Sequence, residues 1–165
     1  MSNPQKLHKN VEAAIKNLET EYKIRDHGDY SLEIKSPRDF AEALGCPIEC
    51  ITKTLFLCSR ERHSYAVAVC SVDRRLDFKS VANAIGAKRV EVASSEDLQV
   101  KTGYPRNGVS PLGLAGDIAV VVDRLLLDYE TILIGGGAAA VEIEVSPWDL
   151  VRISGATVES ITSVL

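Results

Sequence analysis

Apolar residues recur at three and four positions through Leu7, Val11, Ala14, Ile15 and Leu18, which predicts an amphipathic first helix ending near Glu21. A strand-like run at 22–27 follows. Ser36 and Pro37 read as an N-cap and a first-turn proline, with Phe40, Ala41 and Leu44 on one face and Gly45 as the stop. Two apolar runs, 52–58 and 64–70, flank a charged turn and predict a hairpin. Asp77 caps a helix carrying Val81, Ala82 and Ile85 and closing at Gly86, and 88–93 reads as a further strand. Ser94 and Asp97 resemble an acidic capping box for a helix ending at Gly103. Beyond 113, the runs 118–123 and 131–134 are dense in β-branched residues, 141–145 alternates at period two, and Ser146-Pro147 opens a last helix. Strands and helices intermix without regular βαβ alternation. The expectation is a mixed α/β fold, its sheet curled like a barrel, with helices packed outside.

With 165 residues, 45% hydrophobic and 25% charged, the chain suits a single domain over 1–165. The first residues lack the apolar run of a signal peptide and no stretch approaches a membrane span, so a cytoplasmic protein without a membrane partner is expected. A net charge of -4 argues against a broad nucleic-acid surface and gives no expectation of DNA binding. A polyanion would have to meet a local patch. Basic residues do cluster at Arg60 and Arg62, Arg74 and Arg75, Lys88 and Arg89, and Lys101 with Arg106, where the ordinary reading is solvated element ends. Cys46 and Cys50 have no matching second pair, so no metal is expected; Cys58 and Cys70 sit in apolar runs as small reduced hydrophobes.

The segment 101–113 crowds three glycines, two prolines and an asparagine between regular elements. Two readings are open: a rigid turn aiming main-chain donors at an oxyanion, or a stiff connector. Lys53 stands in a run that otherwise suits an interior strand, where a buried ammonium needs an anionic or polar partner; an edge position with its head in water is the alternative. Gly135-Gly136-Gly137 has neither the lysine of a P-loop nor dinucleotide spacing and reads as a tight turn. Glu142 and Glu144 share one strand face, by default the wet one. His8, His27 and His63 show no triad order or metal-ligand spacing.

Lys53-Thr54-Leu55, the stretch 74–79, Thr102-Gly103-Tyr104, the stretch 108–113 and the triple glycine occur together in family order, and in this the chain resembles the YbaK/ProX family of aminoacyl-tRNA deacylases. The likeness runs from about Val11 to Leu150. It implies a metal-independent, cofactor-free trans-editing hydrolase acting on mischarged tRNA, most of all Cys-tRNA(Pro) or another misacylated tRNA(Pro), with prolyl-tRNA synthetase as a candidate partner. It also implies Lys53, Gly108 and Ser110 as the catalytic group, with the main chain near 108–110 facing the oxyanion. Thr54, Arg106, Asn107, Val109, Pro111 and Glu142 would contact substrate, Arg106 through acceptor-stem phosphates. Water is the expected nucleophile, or the substrate's own thiol where that substrate is cysteinyl.

Three positions depart from the family pattern. Asn107 stands where a glycine is usual and is expected to take left-handed backbone. Glu142 replaces the commoner aspartate. Near His27-Gly28-Asp29 the tyrosine of cysteine-specific relatives is missing, with Tyr30 as a shifted substitute. The rival classes are a non-catalytic module of the same fold that grips a tRNA acceptor end or a synthetase, and a hydrolase of unrelated small esters.

Overall fold

The computed structural model describes residues 7–16 and 21–165; Leu18 and the end of the first predicted helix lie outside them. In chain order the elements are α1 (Lys9–Lys16), β1 (Tyr22–Asp26), α2 (Pro37–Leu44), β2 (Thr52–Ser59), β3 (Ser64–Ser71), β4 (Arg74–Leu76), α3 (Phe78–Ile85) and β5 (Glu91–Val92). They continue as α4 (Ser95–Thr102), β6 (Ala119–Asp123), β7 (Ile132–Gly135), β8 (Val141–Val145), α5 (Pro147–Ser154), β9 (Thr157–Glu159) and β10 (Thr162–Val164). Local chemistry sets these boundaries as the pattern predicts. Ser36 Oγ accepts from the Asp39 amide, Asp77 accepts from the amides of Lys79 and Ser80, and Gly45, Gly86 and Gly103 are left-handed C-caps. The capping box of α4 is half formed. Ser94 Oγ accepts from the Asp97 amide at 3.0 Å, but the Asp97 carboxylate takes the Tyr65 hydroxyl at 3.2 Å instead of reaching back.

A five-stranded sheet runs β5-β2-β3-β6-β9, antiparallel through β5, β2 and β3 and parallel from β3 through β6 to β9. A second, antiparallel sheet runs β1-β8-β7, and β4 pairs with β10. The mixed α/β expectation holds, but no barrel closes. A barrel needs every edge paired, and here β5 offers two residues to Leu57 and Cys58 while the backbones of the two larger sheets, among the described residues, pair only at a single bridge between Ile51 and Leu133. The predicted strand at 88–93 accordingly shrinks to Glu91–Val92. β4, β9 and β10, three residues each, had no sequence signal of their own.

β3 is apolar from Ala66 through Cys70, where it is buried on both faces. Val67 and Val69 join the main core with Val11, Ile132, Ile134, Ile143 and Val122, whereas Ala68 and Cys70 face Val81 and Ala82 of α3. A smaller cluster seats Phe40 and Ala41 of α2 against Ile51 and Leu133, at the junction of the two large sheets. None of the described helices is long and apolar enough to cross a membrane.

Candidate active site

The junction of those sheets leaves a gap. β3 flanks β2 along its whole length, but among the described residues the backbone on the other side is paired only at Ile51, just before β2, with Leu133, and again at Phe56, Leu57 and Cys58, with Ala93 and β5. Between these the edge at Lys53 and Thr54 is open, and a cavity of about 400 Å³ lies against it. Lys53 therefore sits on a strand that is interior at its ends and open in its middle, which reconciles the two readings of its environment. Its Nζ donates to the Arg74 carbonyl at 2.7 Å. An ammonium carries three protons, so this bond fixes the head and leaves donors for a ligand. Thr54 Oγ1 is buried and has no hydrogen-bond partner among the described residues, whereas Thr52 Oγ1 donates to the Leu133 carbonyl at 2.6 Å.

The opposite wall is the loop after α4. Thr102 Oγ1 donates to the Leu98 carbonyl and accepts the Tyr104 amide; the buried Tyr104 hydroxyl in turn donates to the Leu112 carbonyl, clasping the two ends of the loop. Burial alone holds the Tyr104 phenol well above its usual range. The segment 105–108 is a turn closed by the Gly108 amide on the Pro105 carbonyl at 3.0 Å. This loop interlocks with the triple-glycine turn. A Cβ on Gly108 would lie 2.5 Å from the Ala138 carbonyl carbon, and one on Gly135 would lie 2.0 Å from the Val109 carbonyl oxygen. Both glycines are required by the closeness of two backbones.

Of the residues singled out in the sequence, Lys53, Thr54, Arg106, Asn107, Gly108, Val109 and Glu142 line this one cavity. Ser110 and Pro111 lie behind it. Ser110 is fully buried and its hydroxyl accepts the Leu112 amide at 3.2 Å, so the side chain shapes the loop. Gly108 also differs from expectation, because its amide is already spent on Pro105. Asn107 does not take the left-handed backbone; among the described non-glycine residues only His63 and Ala140 have positive φ.

Sequence reasoning missed His27. The register of β1 on β8 sets Arg25 opposite Glu142, and the His27 amide continues the pairing to the Ala140 carbonyl at 2.9 Å. His27 Nε2 then lies 2.6 Å from Glu142 Oε2, both half-buried on the cavity wall, with the imidazole 4.4 Å from the Phe40 ring. Glu144, on the same strand face, pairs with Arg25 at 3.1 Å. Tyr30 does not take the place of the missing tyrosine. It packs edge-on against Phe40, outside the cavity lining. Among the described residues no group of three or more His, Cys, Asp or Glu side chains could hold a metal ion.

Comparison with known proteins follows this geometry. The family model for the aminoacyl-tRNA editing domain matches residues 32–153, a span that begins just after His27. A candidate Cys-tRNA(Pro)/Cys-tRNA(Cys) deacylase, EbsC of Enterococcus faecalis, is 30% identical over 128 residues, covering 78% of this chain and 77% of its own. The prolyl-tRNA editing protein ProX of Acetoanaerobium sticklandii is 24% identical over 148 residues, 87% of each chain. A proline–tRNA ligase of Fervidobacterium nodosum matches 65% of this chain at 29% identity, although that stretch is only 18% of the ligase. Among solved structures, the hypothetical protein APE2540 superposes with a TM-score of 0.81 at 30% identity, over 94% of this chain and all of the other. A candidate trans-editing enzyme for prolyl tRNA synthetase shares the fold, with a TM-score of 0.80 at 21% identity over 93% of this chain and 95% of its own.

Proposed function

The chain belongs to the aminoacyl-tRNA editing domain family, and from that premise we propose that it is a trans-editing deacylase: it hydrolyses the ester joining a wrong amino acid to the 3′ end of a tRNA, with Cys-tRNA(Pro) the first substrate to test. The observation that carries this reading is the single cavity in which Lys53 faces the 106–109 loop, with the His27–Glu142 pair on the wall.

In this reading water adds to the ester carbonyl, the oxyanion forms and collapses, and the carbon–oxygen bond to the ribose breaks; the free amino acid and a ribose hydroxyl result. Lys53, held by the Arg74 carbonyl, presents its remaining protons to the ester or its oxyanion. A main-chain donor at Val109, on the cavity lining, supplements it, such a donor being worth about 2.7–4 kcal/mol in known sites. The His27–Glu142 pair is within reach of the cavity to take the proton of the attacking water and return it to the leaving oxygen. Glu142 keeps a second oxygen for the substrate ammonium. Ser36 on the lining uses its hydroxyl to cap α2; the nucleophile in this reading is water, or the substrate's own thiol where that substrate is cysteinyl. No step calls for a metal. The place of action is the cytoplasm, where tRNAs are charged, beside or upon prolyl-tRNA synthetase.

Multiple-turnover deacylation of tRNA(Pro) charged with cysteine, alanine or proline tests the reading. Release of one wrong amino acid over many turnovers, abolished in a folded Lys53→Ala protein, is expected. A folded Lys53→Ala protein that remains active, or a wild-type protein that merely shelters the ester stoichiometrically, overturns it.

A further inference from the structure

The cavity has an exit along β2. It shares Thr54, Arg106 and Val109 with a neighbouring depression floored by Phe56 and walled by Ser94 and Leu98. That depression shares Val92 and Ser94 with an open groove bounded by Arg60, His63, Tyr65 and Lys101. We infer that this continuous track seats the unpaired 3′ strand of the aminoacyl-tRNA, its terminal ester in the Lys53 cavity and the double-stranded stem toward the β2–β3 turn. The inference rests on the deacylase reading and adds to it the path of the nucleic acid.

Three observations commit the track to a single nucleic-acid strand. The first is continuity, since Arg106 lines both the cavity and the adjoining depression and stands where the first phosphates would pass. Charge is the second. In a chain of net charge -4 the cations Arg106, Lys101 and Arg60 line this one path beside His63, and Arg62, Lys88 and Arg89 gather just beyond its far end. Each acid on the path is occupied: Glu91 is ion-paired with Arg60, and Asp97 accepts from the Tyr65 hydroxyl. Arg60 is exposed and meets Glu91 through Nε, so its terminal guanidinium nitrogens remain for a phosphate. Lys101 is better placed, because Tyr65 stacks on Phe56 with ring centroids 5.1 Å apart and the Lys101 ammonium lies 5.4 Å from the Tyr65 centroid.

Reach is the third observation. From Thr54 to Cys58 β2 advances about 13 Å at 3.3 Å per residue, the length of about four stacked nucleotides at 3.4 Å each. Thr54 Oγ1, at the cavity end, is a buried hydroxyl without a hydrogen-bond partner among the described residues, suited to a ribose hydroxyl of the terminal nucleotide.

The test is binding of an acceptor-stem minihelix labelled at its 5′ end and carrying cysteine through a non-hydrolysable amide, against the same minihelix cut blunt, measured by fluorescence anisotropy over a salt series. Wild-type protein should bind the strand-bearing RNA at least about tenfold more tightly than the blunt one. In the R60E/K101E protein that advantage should fall severalfold or more, and the log–log salt slope should become shallower by about 0.7 for each phosphate no longer neutralised. Should the charge reversals unfold the protein, the R60Q/K101Q pair reads the same contrast. Equal binding of blunt and strand-bearing RNA, or an advantage unmoved in the variants, overturns the track and favours a protein partner for the groove. Deacylation is scored separately. Groove-dependent binding without turnover defeats the hydrolase reading alone, and turnover without groove dependence defeats the track alone.

Discussion

His27 Nε2 and Glu142 Oε2 lie 2.6 Å apart although 115 positions separate them in the chain. Antiparallel pairing of β1 with β8 brings them together by carrying the end of one strand to the start of the other at the cavity wall. The pair combines a proton carrier with a carboxylate that orients it, the arrangement general acid–base chemistry needs. His27→Ala and Glu142→Gln should each lower kcat/KM for the mischarged tRNA by about 10²-fold, with melting temperatures little changed because both side chains lie on the cavity wall and not in the apolar core. If they act as one unit, the double variant should be no worse than the weaker single one. Steady-state kinetics on the four proteins decides this; full additivity separates the two roles.

How far the site was legible in the chain differs residue by residue. Lys53 stood out because an ammonium conflicts with an apolar strand, and the 101–113 loop because its glycines and prolines are local chemistry. His27 gave no such signal: its partner comes from strand register, which local pattern does not contain. Ser110 illustrates the opposite error. A serine in a donor-rich loop suggested chemistry, yet its hydroxyl is consumed two residues away at the Leu112 amide. Asn107 was read through backbone torsion, whereas the neighbouring Gly108 is governed by the approach of Ala138 from a distant turn. Helices with caps were readable for the same reason that β4, β9 and β10 were not: caps are local, and three-residue strands exist only by virtue of their neighbours.

The interlock of the two glycine turns predicts a graded alanine series. Gly135→Ala and Gly108→Ala would each push a methyl into opposing backbone, which cannot swing aside as a side chain can. Overpacking of this kind costs about 1–3 kcal/mol, and it displaces the loop that faces Lys53. Both proteins should melt earlier and lose most of their deacylation. Gly116→Ala is the control: its Cβ meets nothing within 4 Å and its φ is not positive, so stability should hold or rise by about 0.4–1 kcal/mol through the unfolded state. Thermal melts and kcat on the three proteins check the order.

Alkaline pH should weaken the fold in part through Cys70. Burial pushes its thiol up to about 11 from an ordinary value of 9.0, with Lys53 opposing the shift. Unfolded chain then releases this proton at lower pH than folded chain, so the thiol's contribution is whole below about 9 and is lost as pH rises toward 11. The size is on the order of 2 kcal/mol. Denaturation midpoints between those limits should fall less steeply for Cys70→Ala than for wild type, whatever the variant's absolute stability. Some decline will remain, because burial also raises the Tyr104 phenol. Parallel slopes in the two proteins would show that Cys70 does not contribute.

Two threonines on one face of β2 separate folding from function. Thr52 Oγ1 is bonded to the Leu133 carbonyl at the sheet junction, and Thr52→Val removes that bond while leaving the carbonyl buried, at a cost of about 1–3 kcal/mol. Thr54 Oγ1 is buried beside Lys53 with no partner among the described residues, so Thr54→Val sheds an unsatisfied hydroxyl and should leave stability unchanged or improved. If that hydroxyl waits for the substrate, the same change should raise KM or lower kcat by about tenfold, one hydrogen bond of roughly 1.4 kcal/mol. The expected pattern is therefore crossed: Thr52→Val loses stability, and Thr54→Val loses activity on a fold at least as stable as wild type. Melting curves together with steady-state kinetics on the two proteins suffice, and a fully active Thr54→Val protein would remove that hydroxyl from the substrate site.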